Sequence, residues 1–239
     1  MGLPMADLAA GLFAALGVLA ALIERQRSGR GQLVDVAMLD AMVGLLTQYA
    51  GRYFMTGEDA EPVGSGHPAV SPYGAYKTAD GYIVIANLGE AFWPKIARAI
   101  GRPELAVDER FRTNAARLAN RDELEALITS ETRKRTTSEW EAIFEREDVP
   151  HGPVNSVSQV LQHTSVLARG MVTEYDHPKL GRWPTTGRAI RFSAHEGEPF
   201  EAPPLLGEDT RAVLRDVLGY APERIGALAR SGVVGLGSR

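Results

Sequence analysis

Asp7 is the residue of this chain that is best placed to do chemistry. It stands at the start of an almost unbroken apolar stretch, LAAGLFAALGVLAALIER, which is typical of a helix. Free N–H groups and the helix dipole at a helix N-terminus favour an ionised carboxylate, which is the nucleophilic form of the side chain. Aspartate is also among the preferred helix-capping residues, so position alone favours a capping role over a catalytic one.

The other candidate side chains have simpler explanations. Asp35 and Asp40 fit a strand and a capping position, respectively. His67 and His151 lie in loops rich in glycine and proline, where turn roles are typical.

Composition excludes several classes of site. The 239 residues include no cysteine, which rules out disulfides and thiolate chemistry. The histidines show no metal-ligand spacing, so we expect no metal site. They are His67, His151, His163, His177 and His195. The net charge of −4 comes from interspersed charges, which is not typical of a nucleic-acid or membrane-surface protein.

The first apolar stretch is shorter than a membrane span. Residues 8–23 are 16 apolar or small residues, whereas a span needs about 20. No basic leader precedes them, as a signal peptide would require. We therefore expect a buried helix, over about residues 8–26, in a cytoplasmic protein that makes no membrane contact.

The remaining patterns predict an α/β protein with a hairpin-bearing insert. QLVDVAML predicts a short strand, and residues 40–56 a second helix closed by Gly57. YGAYKTADGYIVIANL predicts two strands joined at Asp80-Gly81. A helix with Pro94 in its first turn and another over RDELEALITSETRKR follow.

The second half of the chain continues this alternation. Ser138 and Glu141 predict a capping box, and Ser156 predicts a cap on a short helix. GMVTEY and RAIRFSA predict two strands separated by a loop, DHPKLGRWPTTG. Two helices, EDTRAVLRDVLG and APERIGALARSG, complete the pattern.

Several of these segments together resemble the family III CoA-transferases, which include formyl-CoA and carnitine CoA-transferases and the 2-methylacyl-CoA racemases. The likeness begins with Asp7, the glycine-spaced apolar helix, RQRSGRGQ, VDV and DA. It continues through HPAVSPYGAYKTADGYIVIA, RPELAVDERFRTNAARLANRDEL, VPHGPVNSVSQV and PPLLGEDTRAVLRDVLGY. The resemblance therefore covers essentially the whole chain, in the family's order.

The resemblance implies roles for three residues. Asp7 matches the family's catalytic aspartate. The transferases often carry a glycine-rich active-site loop after the second hairpin strand, where this chain has NLGEAFW. Only Gly89 matches that loop clearly, so Gly89 and the neighbouring Asn87 are the candidate substrate-binding residues.

The resemblance also implies a domain organisation and an assembly. We expect residues 1–71 to belong to an incomplete nucleotide-binding-like large domain, 72–168 to form a small α+β domain, and 169–239 to return to the large domain. Family members are dimers of interlocked subunits, so we expect a homodimer. The family's CoA-binding segment precedes the catalytic aspartate, so we also expect a separate N-terminal segment or little activity from this chain alone.

The activity that the resemblance implies is CoA transfer between an acyl-CoA thioester and a carboxylic acid through an aspartyl-CoA intermediate. Coenzyme A would be part of the substrate, and no tightly bound cofactor is expected. Two alternatives stay open: a 2-methylacyl-CoA racemase, in which Asp7 would exchange protons at the α-carbon, and a non-catalytic partner or remnant of the family.

Overall fold

The computed structural model describes residues 2–194, 197 and 200–237 and shows a mixed α and β protein. The helices are α1 Met5–Ser28, α2 Met38–Gly44, α3 Gln48–Thr56, α4 Trp93–Ala99, α5 Asn114–Ala119, α6 Arg121–Thr132, α7 Thr137–Arg146, α8 Val157–Gln162, α9 Thr164–Ala168, α10 Thr210–Ala212 and α11 Pro222–Arg230. The strands are β1 Tyr73–Lys77, β2 Tyr82–Ala86, β3 His151–Pro153, β4 Val172–His177 and β5 Gly181–Thr186. A 3-10 turn, Pro103–Ala106, follows α4, and a π-helical turn, Val213–Val217, continues α10.

The chain divides into two compact units, Met1–Val154 and Asn155–Arg239. The division predicted at residues 71/72 and 168/169 rested on the family resemblance and stays a prediction. In the first unit, β1, β2 and β3 form an antiparallel sheet in that order. In the second, β4 and β5 form a separate antiparallel hairpin.

The hydrophobic core of the first unit packs helices against the central strand β2. Ile83 and Ile85 of that strand are fully buried. Trp93 on α4 and Trp140 on α7 join them. Alternating burial along β2 shows that one face of the sheet meets the helices.

Local sequence signals placed most of these elements correctly. The turn at Asp80-Gly81 joins β1 to β2. Pro94 lies in the first turn of α4. Ser156 caps α8 and forms a capping box with Gln159. The capping box predicted for Ser138 and Glu141 was wrong.

The capping box of α7 lies two residues earlier than predicted. The Thr136 hydroxyl accepts the N–H of Glu139, and the Glu139 carboxylate accepts the N–H of Thr136. Both spacings in TTSEWE satisfy the capping-box pattern. Thr136 takes the role because its backbone is extended whereas Ser138 is already inside the helix.

The N-terminal helices differ from expectation in three ways. α1 begins at Met5. Most of its residues are exposed in this chain, although Ala9 is buried. α1 is long and apolar enough to cross a membrane, a property shared with core helices of soluble proteins. The predicted second helix is two helices, interrupted near Thr47, whose φ is 42°.

The strand predicted from QLVDVAML was wrong. Residues 31–37 belong to no helix or strand in the part of the chain that the structure describes. Val34 instead packs against α1 at Gly17, where a Cβ would lie 2.7 Å from the Val34 Cγ1. An extended segment becomes a strand only when a partner supplies the ladder of hydrogen bonds.

The hairpin of the second unit uses a different partner strand from the one predicted. β4 matches GMVTEY, but β5 comes from GRWPTT, within the predicted loop. RAIRFSA forms no strand in its described residues 188–194. A short connection at Pro178–Leu180 makes this local pairing possible, and the His177 Nδ1 accepts the N–H groups of Lys179 and Leu180.

Candidate active site

Asp7 lies in the first turn of α1 and is exposed. The cap position belongs to Pro4, and no side chain caps this helix end. Asp7 is the third residue of the helix, so it lies in the first turn and not at the cap position. Asp7 is therefore not the N-cap residue of α1, although its position in the sequence favoured that role.

Asp40 provides an internal comparison for Asp7. It is the third residue of α2, it is exposed, and α2 also lacks a side-chain cap. The two carboxylates thus share a helix position and a dipole environment. Helix position does not by itself distinguish a catalytic aspartate from an ordinary one.

Asn87 and Gly89 come together at a cavity of about 430 Å³ in the first unit. The loop after β2 forms one wall, with four consecutive residues, Asn87 to Glu90. The remaining lining residues come from the segment before β1, from β1 and from α5: His67, Val70, Tyr73, Asn114 and Arg117. Asp7 is not among the lining residues.

The loop after β2 is held at its start by Asn87. This side chain is buried, and its Nδ2 donates to the Ser71 carbonyl at 3.1 Å. Its Oδ1 accepts the N–H of Gly89 at 3.3 Å. Gly89 has a φ of 153°, a conformation that disfavours residues with a Cβ. The sequence therefore has a physical reason for glycine here.

Arg117 supports this wall from inside the unit. Its side chain is only 1% exposed. The Nε donates to the Ser71 carbonyl at 2.6 Å, and the Nη1 donates to the Phe111 carbonyl at 2.9 Å. The guanidinium lies 5.3 Å from the ring centre of Trp93. Such a buried cation requires a counter-ion.

Glu90 supplies the counter-ion. Its Oε2 accepts the Arg117 Nη2 at 3.0 Å, and its Oε1 accepts the N–H of Asn114 at 2.7 Å. Partial burial of the Glu90 carboxyl opposes ionisation, but the Asn114 N–H and the Arg117 guanidinium outweigh it and hold its pKa below the ordinary value. Glu90 is therefore ionised at neutral pH.

His67 has the turn role that the sequence predicted and also lines the cavity. Its Nδ1 accepts the N–H of Ala69 at 3.1 Å, so the proton of the neutral ring is on Nε2. The ring meets the Tyr73 ring edge-on, with centres 5.3 Å apart. His151 lies in β3, and its Nδ1 bonds to the Val149 carbonyl.

The cavity has the size of a small-molecule site. Its one carboxylate and its one guanidinium compensate each other, and Val70, Tyr73 and Leu88 provide apolar surface. This lining suits an uncharged part of a ligand. Among the described residues, no three side chains come together as a metal site would need.

Sequence reasoning did not single out Glu90, Asn114 or Arg117. Arg117 and Asn114 lie in RTNAARLAN, which is one of several charge-rich helical stretches. The available signal was Glu90 itself, directly after the one glycine that matches the family's loop.

The family model described as CoA-transferase family III matches residues 1–210. Two curated relatives are similar over nearly the whole chain. The succinyl-CoA:glutarate CoA-transferase of Mus musculus is 37% identical over 233 residues, 98% of this chain and 53% of that protein. The succinyl-CoA–D-citramalate CoA-transferase of Chloroflexus aurantiacus is 33% identical over 235 residues, 98% of this chain and 58% of that protein.

A solved structure has a similar fold. The crystal structure of a CAIB/BAIF family protein from Brucella suis superposes with a TM-score of 0.77 and 34% sequence identity. The match covers 91% of this chain and 56% of that one. The chain thus spans about half the length of the curated relatives and of the solved structure that it matches.

Proposed function

Because the chain belongs to CoA-transferase family III, we propose that it acts in the transfer of CoA between an acyl-CoA thioester and a carboxylic acid, with Asp7 as the nucleophile. The observation that carries this proposal is the match of the CoA-transferase family III model to residues 1–210, which include the exposed Asp7 carboxylate. A carboxylate is a known nucleophile in covalent catalysis, and this one is accessible to a substrate.

The proposed reaction proceeds in four balanced steps. An Asp7 oxygen attacks the thioester carbonyl, and CoA leaves as a thiolate, which gives a mixed anhydride. The thiolate attacks the Asp7 carbonyl carbon and releases the first acid as its carboxylate, which gives an aspartyl-CoA thioester. The acceptor carboxylate attacks that thioester and releases the CoA thiolate, which gives a second mixed anhydride. The thiolate then attacks the acceptor's carbonyl carbon, which forms the new acyl-CoA and releases the Asp7 carboxylate.

The substrates that we propose are small dicarboxylic acids and their CoA thioesters. Support comes from the names of the two curated relatives, which pair succinyl-CoA with glutarate and with D-citramalate. The methylene chain of the acyl group would lie against the apolar residues of the cavity, beside Asn87 and Gly89.

An Asp7→Asn variant tests the proposal, with Asp40→Asn as the matched control. Both substitutions remove a carboxylate from the third position of a helix. With succinyl-CoA and glutarate as probes, Asp7→Asn is expected to lower kcat at least ~10³-fold, the scale of losing a nucleophile, whereas Asp40→Asn retains activity. Equal activity of the two variants would contradict the proposal.

The same preparation separates the proposed transferase from a racemase. A racemase incorporates deuterium at the α-carbon of a 2-methylacyl-CoA in deuterated water without any acceptor acid. A transferase requires the acceptor and leaves the α-hydrogen in place. Deuterium incorporation without an acceptor would therefore contradict the proposed transferase and support a racemase.

The partner that we propose for α1 is a second copy of this chain. Leu12, Leu16, Leu19 and Ile23 recur at helical spacing and are between 55% and 69% exposed. Such a stripe along a helix of about 36 Å needs a cover in water. An exposed apolar surface of this length fits the large, apolar interface of an obligate homodimer.

Light scattering tests this partner. The wild type is expected to be a dimer at micromolar concentration, and Leu16→Glu is expected to dissociate it. Val107→Glu is the control, because Val107 is 75% exposed outside α1. A wild-type monomer, or a dimer that survives Leu16→Glu, would contradict the proposed interface.

A further inference from the structure

Glu90 connects three segments that form the cavity wall. Its carboxylate bonds to Arg117 and to the first N–H of α5, while it belongs to the loop after β2. Arg117 in turn bonds to the Ser71 carbonyl, which also accepts the Asn87 side chain. From this network we infer that Glu90 is a positioning residue, which fixes the loop Asn87–Glu90 in its substrate-binding conformation.

The pairing differs from an ordinary surface ion pair. The Glu90 side chain is 59% exposed, but the Arg117 side chain is 1% exposed. The other acceptors of the Arg117 guanidinium in the described chain are backbone carbonyls, which carry no charge: those of Ser71, Phe111 and Arg112. Glu90 therefore neutralises a buried cation, and charge-assisted hydrogen bonds of this kind are strong.

The loop depends on this contact for its position. Leu88 is 65% exposed, so it adds little packing. Gly89 has no side chain, and its φ of 153° lies in a region that few residues adopt. Asn87 holds the start of the loop and Glu90 holds its end. Loss of the Glu90 contact would leave the end of the loop held by the bond from the Phe92 N–H to the Gly89 carbonyl, at 3.0 Å, and by the start of α4, without a link to α5.

The inference rests on the proposed function, because it assumes that the acyl part of the substrate binds in this cavity. Glu90→Gln removes the charge and keeps the shape of the side chain. Glu90→Asp, a second variant, keeps the charge but shortens its reach, and it serves if the first variant does not fold. Glu109→Gln is the control, because Glu109 pairs with Arg112 and is 79% exposed.

Hydrogen exchange and steady-state kinetics on the native assembly together test the role of Glu90. Glu90→Gln is expected to speed amide exchange in residues 88–91 about tenfold or more, as loss of one charge-assisted hydrogen bond implies. With succinyl-CoA and glutarate, KM is expected to rise about tenfold while kcat changes less than threefold, because a loosened wall weakens binding. Glu109→Gln is expected to change neither quantity.

Each contrary result is distinguishable. Unchanged exchange in Glu90→Gln would overturn the positioning role and leave the proposed function in place. Faster exchange with an unchanged KM would overturn the role in substrate binding. If saturating succinyl-CoA does not slow exchange of residues 88–91 in the wild type, the cavity is not the acyl site, and both the site and the role of Glu90 fail.

Discussion

Replacement of the buried Arg117 by methionine is expected to destabilise the first unit strongly. Methionine keeps much of the apolar stem but removes the charge-assisted hydrogen bonds to the Ser71 and Phe111 carbonyls. Hydrogen bonds that involve a charged group contribute about 1.5–3 kcal/mol each. Ser71 keeps a second donor, the Asn87 Nδ2, and the cost of burying the charge disappears. The net loss is therefore expected to be about 3 kcal/mol.

Urea denaturation followed by circular dichroism measures this loss. The expected result is a lower midpoint with an unchanged denaturant slope, since the exposed surface of the unfolded chain stays the same. Arg110→Met is the matched control, because the Arg110 side chain is 51% exposed and pairs with Asp108 at the surface. Its cost is expected to be below about 1 kcal/mol. Equal costs for the two variants would refute the structural role assigned to Arg117.

Two further predictions concern the same unit. The N–H and hydroxyl of Thr137 hold the pKa of Asp80 below its ordinary 3.8, so its stabilising effect is complete above pH 3.8 and is lost as pH falls through the lower folded value. Asp80→Asn is expected to flatten the acid limb of the stability profile, and an equally steep limb would contradict this. Phe144→Ala removes a fully buried ring that stacks on Trp140. It is expected to lower the free energy of unfolding, measured by urea denaturation, by about 3–5 kcal/mol. A cost below about 1 kcal/mol would show that the core does not depend on it.

The fold could be predicted where neighbouring residues decide it. The Asp80-Gly81 turn and Pro94 specify their elements locally. β5 was missed because GRWPTT contains glycine and proline, which are typical of loops. Pro184 is tolerated because the hairpin has only two strands, so each strand has a free edge.

The exposure of α1 is the other part that the sequence did not predict. Its composition indicates burial, whereas this chain covers little of it. An apolar surface specifies that a cover is needed but not which molecule provides it. Residues 8–23 alone are shorter than a membrane span, whereas the whole of α1 has 24 residues, so its length fits a membrane helix as well as a helix at an obligate interface.

The candidate site was predictable only in part. Asp7, Asn87 and Gly89 came from the family resemblance, and the structure brings the last two together at one cavity. Glu90 and Arg117 are 27 residues apart, and no spacing rule connects them. Their pairing depends on the tertiary contact between the loop after β2 and α5.

Trapping of the Asp7 acyl intermediate tests the central claim most directly. The protein is incubated with succinyl-CoA, treated with hydroxylamine, digested and analysed by peptide mass spectrometry, with Asp7→Asn as the control. We predict a hydroxamate at Asp7 of the wild type, formed from the activated aspartyl carbonyl. Full turnover of succinyl-CoA and glutarate without modification at Asp7, or with the hydroxamate at another carboxylate, would contradict the account.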